Sequence, residues 1–226
     1  MATNRTPQEA LDFAKRIIGN SPLDDAELKY RVLQDPSDYI HMAAAWRWSV
    51  GQLTKQLVVS GTEDYTVTDP TDLRYLVRAE LRFSDGHREF LTPVHSLTAS
   101  GITKGSPREI SLVNSTTVRL YPIPNYTAGL EPSLIVDYKK KNTNITAGNI
   151  GTAATLLFDD EWFHVYQAGV LAHAFMFTDN PRLGAVTVGN QSVQFSGQWG
   201  VFQGLLVQMA QKEKPLTLEL GVPSNG

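Results

Sequence analysis

The sequence predicts an α+β fold, in which a helical bundle formed by N- and C-terminal helices carries an inserted antiparallel β-sandwich or barrel-like domain. Two patterns predict it. Apolar residues recur at helical spacing near both ends of the chain, and between them short strand-like runs are separated by turn signals about every ten residues. We therefore expect a helical domain of residues 1–49 and 156–214, a β domain of residues 50–140, a polar connecting arm at 141–155 and a C-terminal tail at 215–226.

Three short helices are predicted in the first 48 residues. The first begins at Thr6-Pro7-Gln8-Glu9, where a threonine cap precedes a proline and a glutamate, and it ends at Gly19. The second begins at Ser21-Pro22 and is expected to stop at Asp35-Pro36, because proline has no backbone N–H to continue a helix. The third follows Pro36. Its inward residues are predicted to be Tyr39, Met42, Ala43 and Trp46.

The middle of the chain predicts strands joined by tight turns. The longest strand-like run covers residues 73–83, and Asp85-Gly86 is a hairpin turn signal before a second run at 87–92. Further strands are expected at 65–67, 109–113, 118–121 and 134–139.

A helix that is apolar on nearly every side is predicted at 158–177. Three acids, Asp159, Asp160 and Glu161, suit its positive end. Two histidines and a glutamine within it argue against a membrane span. Such a helix must be covered from several directions, by other helices or by neighbouring copies of the chain. Because it carries more apolar surface than one chain of this size is expected to hide, we expect neighbouring copies to cover part of it.

A last helix is predicted from about residue 194 to 212. Its apolar seam is spaced four and three residues apart, as in a coiled coil, and comprises Phe195, Trp199, Phe202, Leu206 and Met209. Gly197, Gly200 and Gly204 share another face. Because each glycine costs about 1 kcal/mol of helix stability, we expect another backbone to come close to this face.

The search for catalytic chemistry finds no complete site, so we expect no enzyme activity, no cofactor and no metal. The chain has no cysteine and no glycine-rich phosphate loop. Glu161 and His164 form a single E-x-x-H, whereas a di-iron helix bundle needs two. His164 and His173 fall on opposite sides of one helix, and His87 with Glu89 share a strand face without a third partner. Trp46 and Trp48 suit either a ligand platform or core packing, and packing is the commoner role.

Two segments are candidates for partner contacts. Lys139, Lys140 and Lys141 suit a phosphate group or an acidic protein surface, or else a solvated strand end. Apolar residues alternate in the tail at Leu216, Leu218, Leu220 and Val222, so the tail could add to a partner as a strand or lie in a groove. The polar arm at 141–155 is either a binding arm or a mobile surface loop.

Several short motifs also occur in a recognisable order between residues 36 and 212. They are Ala45-Trp46-Arg47-Trp48, Ser60-Gly61-Thr62-Glu63-Asp64-Tyr65, Gly105-Ser106-Pro107-Arg108, Leu120-Tyr121-Pro122-Ile123-Pro124-Asn125, the acidic helix start at 159–161 and a last helix that contains Trp199. In this order they resemble the head-to-tail adaptor proteins (connectors, or tail accessory factors) of tailed double-stranded DNA bacteriophages. The segment Thr68-Asp69-Pro70-Thr71-Asp72 departs from that pattern, where a simpler Leu-Pro turn is expected.

The resemblance implies a structural virion protein of the neck, assembled in the host cytoplasm. Such a protein forms a ring of identical subunits, commonly about twelve, under the portal protein, contacts the next tail or nozzle protein, and lines the channel through which double-stranded DNA passes. No membrane contact is implied. The formal net charge of −3 fits passing DNA, since many basic contacts would hold it. Two alternatives remain open. One is a β-sandwich binding module of a phage particle, for glycan or host-surface recognition, on a helical base. The other is an enzyme whose site is assembled between subunits.

Overall fold

The computed structural model describes residues 4–19, 22–53, 56–66, 73–97, 103–114, 116–184, 186–188 and 193–214. They fall into two compact units. The helical unit contains the described residues of 1–48 and 142–216, and the sheet unit contains those of 49–141. The predicted α+β class, with helices at both ends of the chain, is confirmed.

Within the described residues there are four α-helices and twelve strands, joined in places by short 3-10 turns. The helices are α1 (Pro7–Ile18), α2 (Ala26–Ala43), α3 (Phe163–Phe177) and α4 (Gly197–Glu213). The strands are β1 (Val50–Gln52), β2 (Gln56–Leu57), β3 (Asp64–Thr66), β4 (Leu73–Arg82), β5 (Arg88–Val94), β6 (Lys104–Gly105), β7 (Glu109–Asn114), β8 (Thr117–Tyr121), β9 (Ile123–Pro124), β10 (Ser133–Lys140), β11 (Val186–Val188) and β12 (Val193–Phe195).

Helix α1 begins and ends where its sequence signals predict. The Thr6 hydroxyl accepts a hydrogen bond from the Glu9 N–H at 3.3 Å, and Pro7 occupies the first turn, where its missing N–H costs nothing. Gly19 ends the helix with a φ of +95°, in the region that favours glycine.

Helix α2 continues through Pro36, so the prediction of two helices separated at this proline is wrong. It begins after Asp25, whose carboxylate accepts the Leu28 N–H at 2.9 Å. Pro36 is buried against α3, and this packing offsets the helix hydrogen bond that proline cannot make. The buried face of the first half of α2 continues unchanged through Ser37, Ile40 and His41.

The inward face predicted for the segment after Pro36 is therefore also wrong at three positions. Tyr39, Met42 and Ala43 are exposed, and the exposed fraction of Met42 is 61%. Trp46 is buried as predicted, but it lies after the end of α2. Its indole Nε1–H donates to the Ile40 carbonyl at 2.5 Å, which fixes the chain as it leaves the helix.

Helix α3 is enclosed by its own chain. Eleven of its fifteen residues are buried, and α1, α2 and α4 all pack against it. Its exposed residues are His164 and Met176. The expectation that neighbouring copies are needed to cover this helix is therefore wrong, because other helices of the same chain enclose it.

Helices α2 and α4 both come close to α3 at Gly169. A Cβ atom at this position would lie 2.7 Å from the Pro36 Cβ and 2.9 Å from the ring of Phe202. A side chain larger than hydrogen would therefore push α2 and α4 away from α3. Phe202 itself is fully buried at this crossing.

Helix α4 begins at Gly197, three residues later than predicted, because residues 193–195 form β12 instead. The predicted seam is correct for Phe202, Leu206 and Met209, which are buried. The expected close backbone is present at Gly197, where a Cβ would lie 2.7 Å from the Gly184 Cα. At Gly204 nothing lies within 4 Å of such a Cβ.

The main sheet of the sheet unit is curled and has the strand order β1-β10-β4-β5-β7-β8-β3, and β2 pairs with β10. Its pairs are antiparallel except that β5 and β7 run parallel, which corrects the prediction of an antiparallel domain at that pair. A second, two-stranded parallel sheet joins β6 and β9. Apolar residues on one face form the core, among them Leu81, Ile110 and Leu120. None of the described helices has the length and apolarity needed to cross a bilayer.

We predict opposite effects of the same substitution at two helical glycines. Gly169→Ala adds a methyl group at the crowded crossing and should destabilise the protein by about 1–3 kcal/mol. Gly204→Ala adds it in open space on α4, where the better helix propensity should stabilise by about 0.5–1 kcal/mol. Urea unfolding followed by the helical circular dichroism signal measures both. A Gly169→Ala protein as stable as wild type would contradict the close crossing.

Candidate interaction surfaces

The three consecutive lysines do not form one exposed cluster. Lys139 is only 1% exposed, and its Nζ donates to the Ser49 hydroxyl at 2.6 Å. Lys140 is half-buried and Lys141 is exposed. Successive side chains of a strand point to opposite faces, which separates neighbours in sequence. Burial, and to a smaller extent the charge of Arg74, lowers the pKa of Lys139 from 10.5 to about 8.

The apolar tail residues predicted as a contact, Leu216, Leu218, Leu220 and Val222, lie outside the described residues. The departure at 68–72 also lies outside them.

The polar segment at 142–155 runs along the helical unit and makes specific contacts with it. The Asn142 side chain donates to the Ser37 hydroxyl at 3.0 Å and to the Asp38 carboxylate at 2.8 Å. The buried Ile145 donates its N–H to the Gln34 side chain at 2.7 Å. These bonds fix the course of the segment next to α2.

The two tryptophans after α2 form part of the helical core. Trp46 is fully buried and stacks on the half-buried Trp48, with ring planes 9° apart and centroids separated by 6.1 Å. Phe158 meets Trp48 edge to face. This geometry favours the packing role over a ligand platform, since one ring offers no surface to a ligand and the other is partly covered.

Three of the motifs that were separate in the sequence meet at one end of the sheet unit. The Arg108 N–H donates to the Tyr121 carbonyl at 2.8 Å, and the Asn125 N–H donates to the Gly105 carbonyl at 3.2 Å. The Gly61 N–H donates to the Pro124 carbonyl at 2.7 Å. These three motifs therefore form a structural junction. An open cleft of about 370 Å³ lies between the motif at 105–108 and the motif at 120–125.

Sequence reasoning missed the polar network beside this junction. The Ser106 hydroxyl donates to Glu89 at 2.7 Å and lies 3.2 Å from the Tyr126 hydroxyl. His87 lies 3.6 Å from the other oxygen of Glu89. The shared strand face of His87 and Glu89 is the sign of this network that the sequence contains. The other members, Ser106 and Tyr126, come from distant parts of the chain. The histidine contacts the carboxylate rather than the serine, so this is not the pairing of nucleophile and base that serine hydrolases need.

The motif at 60–65 holds the edge strand β3 in place. Asp64 forms a two-bond ion pair with Arg119 of β8, in which both N···O distances are 2.7 Å. Hydrogen bonding to this guanidinium lowers the pKa of the Asp64 carboxyl. Tyr65 is buried, and its hydroxyl donates to the carbonyl of Thr62 at 2.8 Å.

Helix α4 exposes an apolar strip on its outer face. Val201 and Val207 are 51% and 56% exposed, and Gly204 lies between them. The strip is not needed for the core, which α4 contacts through Phe202, Leu206 and Met209. We call Val201, Gly204 and Val207 the outer strip of α4.

A comparison with known protein families identifies the family of this chain, which combines a helical unit and a curled sheet unit. The chain matches the family described as SU10 adaptor protein over residues 8–215. The protein belongs to the SU10 adaptor protein family. The match extends through both units of the fold and includes every motif on which the resemblance rests. No curated protein matches the chain.

Membership confirms the coarser part of the sequence interpretation. SU10 adaptor proteins are structural proteins of bacteriophages, so this chain is a phage adaptor protein and a virion component. The family is not an enzyme family.

Among the described residues no three histidine or acidic side chains are grouped to hold a metal ion.

The buried lysine predicts an unusual pH dependence of stability. Below about pH 8 the folded and unfolded states both carry the Lys139 proton, and burial of this charge lowers the free energy of unfolding. Between about pH 8 and 10.5 the unfolded state binds more protons than the folded state, so this contribution makes stability rise with pH.

Lys139→Met should remove this rise and stabilise the protein at neutral pH, since the side chain keeps its size and loses its buried charge. Urea unfolding from pH 7 to about pH 10 measures both effects. Lys141→Met, at an exposed position, is the control and should keep the wild-type profile. Parallel profiles for wild type and Lys139→Met would contradict the assignment.

Proposed function

We propose that this member of the SU10 adaptor protein family is a head-to-tail adaptor. In this role identical copies form a ring under the portal protein, join the DNA-filled head to the tail and line the channel for double-stranded DNA. The observation that carries the proposal is the family match over residues 8–215, which includes both the helical unit and the sheet unit. The family implies a location in the virion. In this proposal that location is the neck, between the head and the tail.

The ring contact is assigned to exposed surfaces rather than to α3. Because α3 is enclosed within the protomer, the subunit has a complete helical core before it meets a neighbour. The outer strip of α4 is the best-placed apolar surface of the helical unit for a neighbour. At Gly204 a neighbouring backbone can approach without meeting a side chain.

The charge of the chain supports passage of DNA rather than its capture. The chain has 20 basic and 23 acidic residues, which gives the formal net charge of −3. Each lysine or arginine that neutralises a phosphate releases counterions and tightens binding. A channel wall without a surplus of basic side chains lets the duplex move. The other partners in this proposal are the portal protein above and the next tail or nozzle protein below.

The direct test is to mix the purified protein with portal rings and image the product by electron microscopy. We expect a ring of this protein, of about twelve copies, on one face of the portal. Val207→Glu should prevent ring formation, since it places a charge within the apolar strip, and should leave the fold unchanged. Val59→Glu is the control, because Val59 is equally exposed on the sheet unit.

Two results would contradict the proposal. One is a portal that remains bare at a large excess of the protein. The other is saturable binding to host-cell surface glycans by a protein that does not bind the portal, which would favour the binding-module alternative.

A further inference from the structure

Strands β4 and β5 carry a charged surface on the side of the sheet that faces away from the core. In this antiparallel pair Arg82 lies opposite Arg88, and Glu80 lies opposite Phe90. Leu81, which lies between Glu80 and Arg82 along β4, is part of the core. Because neighbouring side chains of a strand alternate between its two faces, the other four residues share the opposite face.

The arginines of this surface outnumber its carboxylates. Glu80 is buried and forms ion pairs with Arg82 and, at 3.5 Å, with Arg78. Arg78 also lies 3.4 Å from the carboxylate of Asp137 on β10. The Arg88 side chain has no ion pair or hydrogen bond with the part of the chain that the structure describes. Three arginines therefore share two carboxylates, and one positive charge is not neutralised.

The pairing of Arg82 with Arg88 favours binding of an anion. Like charges directly opposite each other in an antiparallel pair repel and destabilise the sheet. Glu80 compensates the charge of Arg82 but forms no ion pair with Arg88. A carboxylate from another molecule, placed between the two guanidinium groups, would remove the repulsion and accept charge-assisted hydrogen bonds.

Phe90 adds a large apolar contact in the middle of the same surface. Its side chain is 63% exposed, and the Arg78 guanidinium lies over its ring, 5.6 Å from the centroid. Arg88 precedes Phe90 by two positions on the same strand face, which separates them by about 7 Å. Aromatic and arginine side chains are enriched where proteins bind one another. We call Arg78, Arg82, Arg88 and Phe90 the arginine–phenylalanine face.

The buried Glu80 holds two of these arginines in place before any partner binds. Its two carboxylate oxygens lie against Arg78 on one side and Arg82 on the other. Arg78 nevertheless stays exposed, and Arg82 is only half-buried. Side chains that are fixed in advance lose less conformational entropy when a ligand binds. The face is therefore prepared for a ligand rather than shaped by it.

The mixture of charge and exposed apolar surface selects a protein segment as the ligand. A DNA duplex presents charged phosphates and sugars on its outside, and neither covers an exposed phenyl ring. The same face of a second copy would bring arginines against arginines. An acidic segment with an apolar side chain between two carboxylates meets both requirements. In an extended segment, side chains at alternate positions are about 7 Å apart, which matches the separation of Arg88 from Phe90.

We propose that the arginine–phenylalanine face binds an acidic segment of a different protein. The segment places an apolar side chain on Phe90 and a carboxylate between Arg82 and Arg88. This contact goes beyond the proposed ring and does not depend on it, because all four side chains of the face belong to one protomer.

The experiment measures binding of a fluorescent peptide built from Glu-Ser-Leu-Ser-Glu repeats to the full-length protein at low ionic strength. We expect saturable binding that weakens as salt is added, since exposed ion pairs are screened. A peptide of Lys-Ser-Leu-Ser-Lys repeats and a peptide of Glu-Ser-Ser-Ser-Glu repeats should both bind more weakly. The first lacks the carboxylates, and the second lacks the apolar side chain.

Two variants and two matched controls locate the site. Arg88→Glu and Phe90→Ser should each weaken binding of the acidic peptide roughly tenfold or more. Lys141→Glu makes the same change in net charge at another exposed position, and Val113→Ser removes an exposed apolar side chain of β7. Both controls should bind as wild type does. All four substituted side chains are exposed, so the circular dichroism spectra should not change.

Three results would overturn the proposal. The first is an acidic peptide that does not bind saturably, or whose binding falls equally in Arg88→Glu and Lys141→Glu. The second is a short DNA duplex that binds more tightly than the peptide and is insensitive to Phe90→Ser, which would assign the face to nucleic acid. The third is self-association of the wild type that Phe90→Ser abolishes, which would assign the face to a second copy.

Portal docking by the same proteins separates this inference from the adaptor role. A protein that forms rings on the portal but fails the peptide test keeps the adaptor role and loses the acidic partner. A protein that binds the acidic peptide as described but leaves the portal bare keeps the acidic partner and loses the adaptor role.

Discussion

The close crossing at Gly169 is the contact on which the helical unit depends. Pro36 of α2 and Phe202 of α4 both reach α3 at this residue, one from each side of the sequence insertion that forms the sheet. Because glycine has no side chain, the N-terminal and C-terminal helices pack on the same apolar helix and enclose it. The N-terminal and C-terminal helices thereby form one unit, and the strands between them form another.

A complete protomer core changes the physical argument for assembly. An apolar helix with no cover would force copies together, whereas an enclosed α3 leaves the proposed association of copies to exposed surfaces such as the outer strip of α4. Subunits of this kind can fold separately and assemble when a partner arranges them. The candidate functional features of the described residues are exposed surfaces and a junction of backbone hydrogen bonds.

Local signals in the sequence predict much of this fold, while features that depend on distant residues are missed. The cap at Thr6 and the stop at Gly19 follow from short-range patterns, as do the strands β4, β5, β7, β8 and β10. Pro36 misleads because its helix-breaking tendency is overcome by packing against Gly169, 133 positions away. The burial of Lys139 was not predicted, because a charged residue at a strand end is normally solvated. Its burial depends on Ser49 and on the neighbouring strands, which are distant in the sequence. The network of Glu89, Ser106 and Tyr126 joins three separate segments, so no local pattern could reveal it.

Hydrogen exchange of the dilute, isolated protein tests the central claim most directly. If α3 is enclosed by its own chain, its backbone amides should be among the most protected in the helical unit, and their protection should not change when the protein docks on a portal. New protection should appear at outer surfaces instead, including α4 around Gly204. Rapid exchange of α3 in the isolated protein, with protection gained only in the ring, would contradict the account and show that neighbouring copies complete the core.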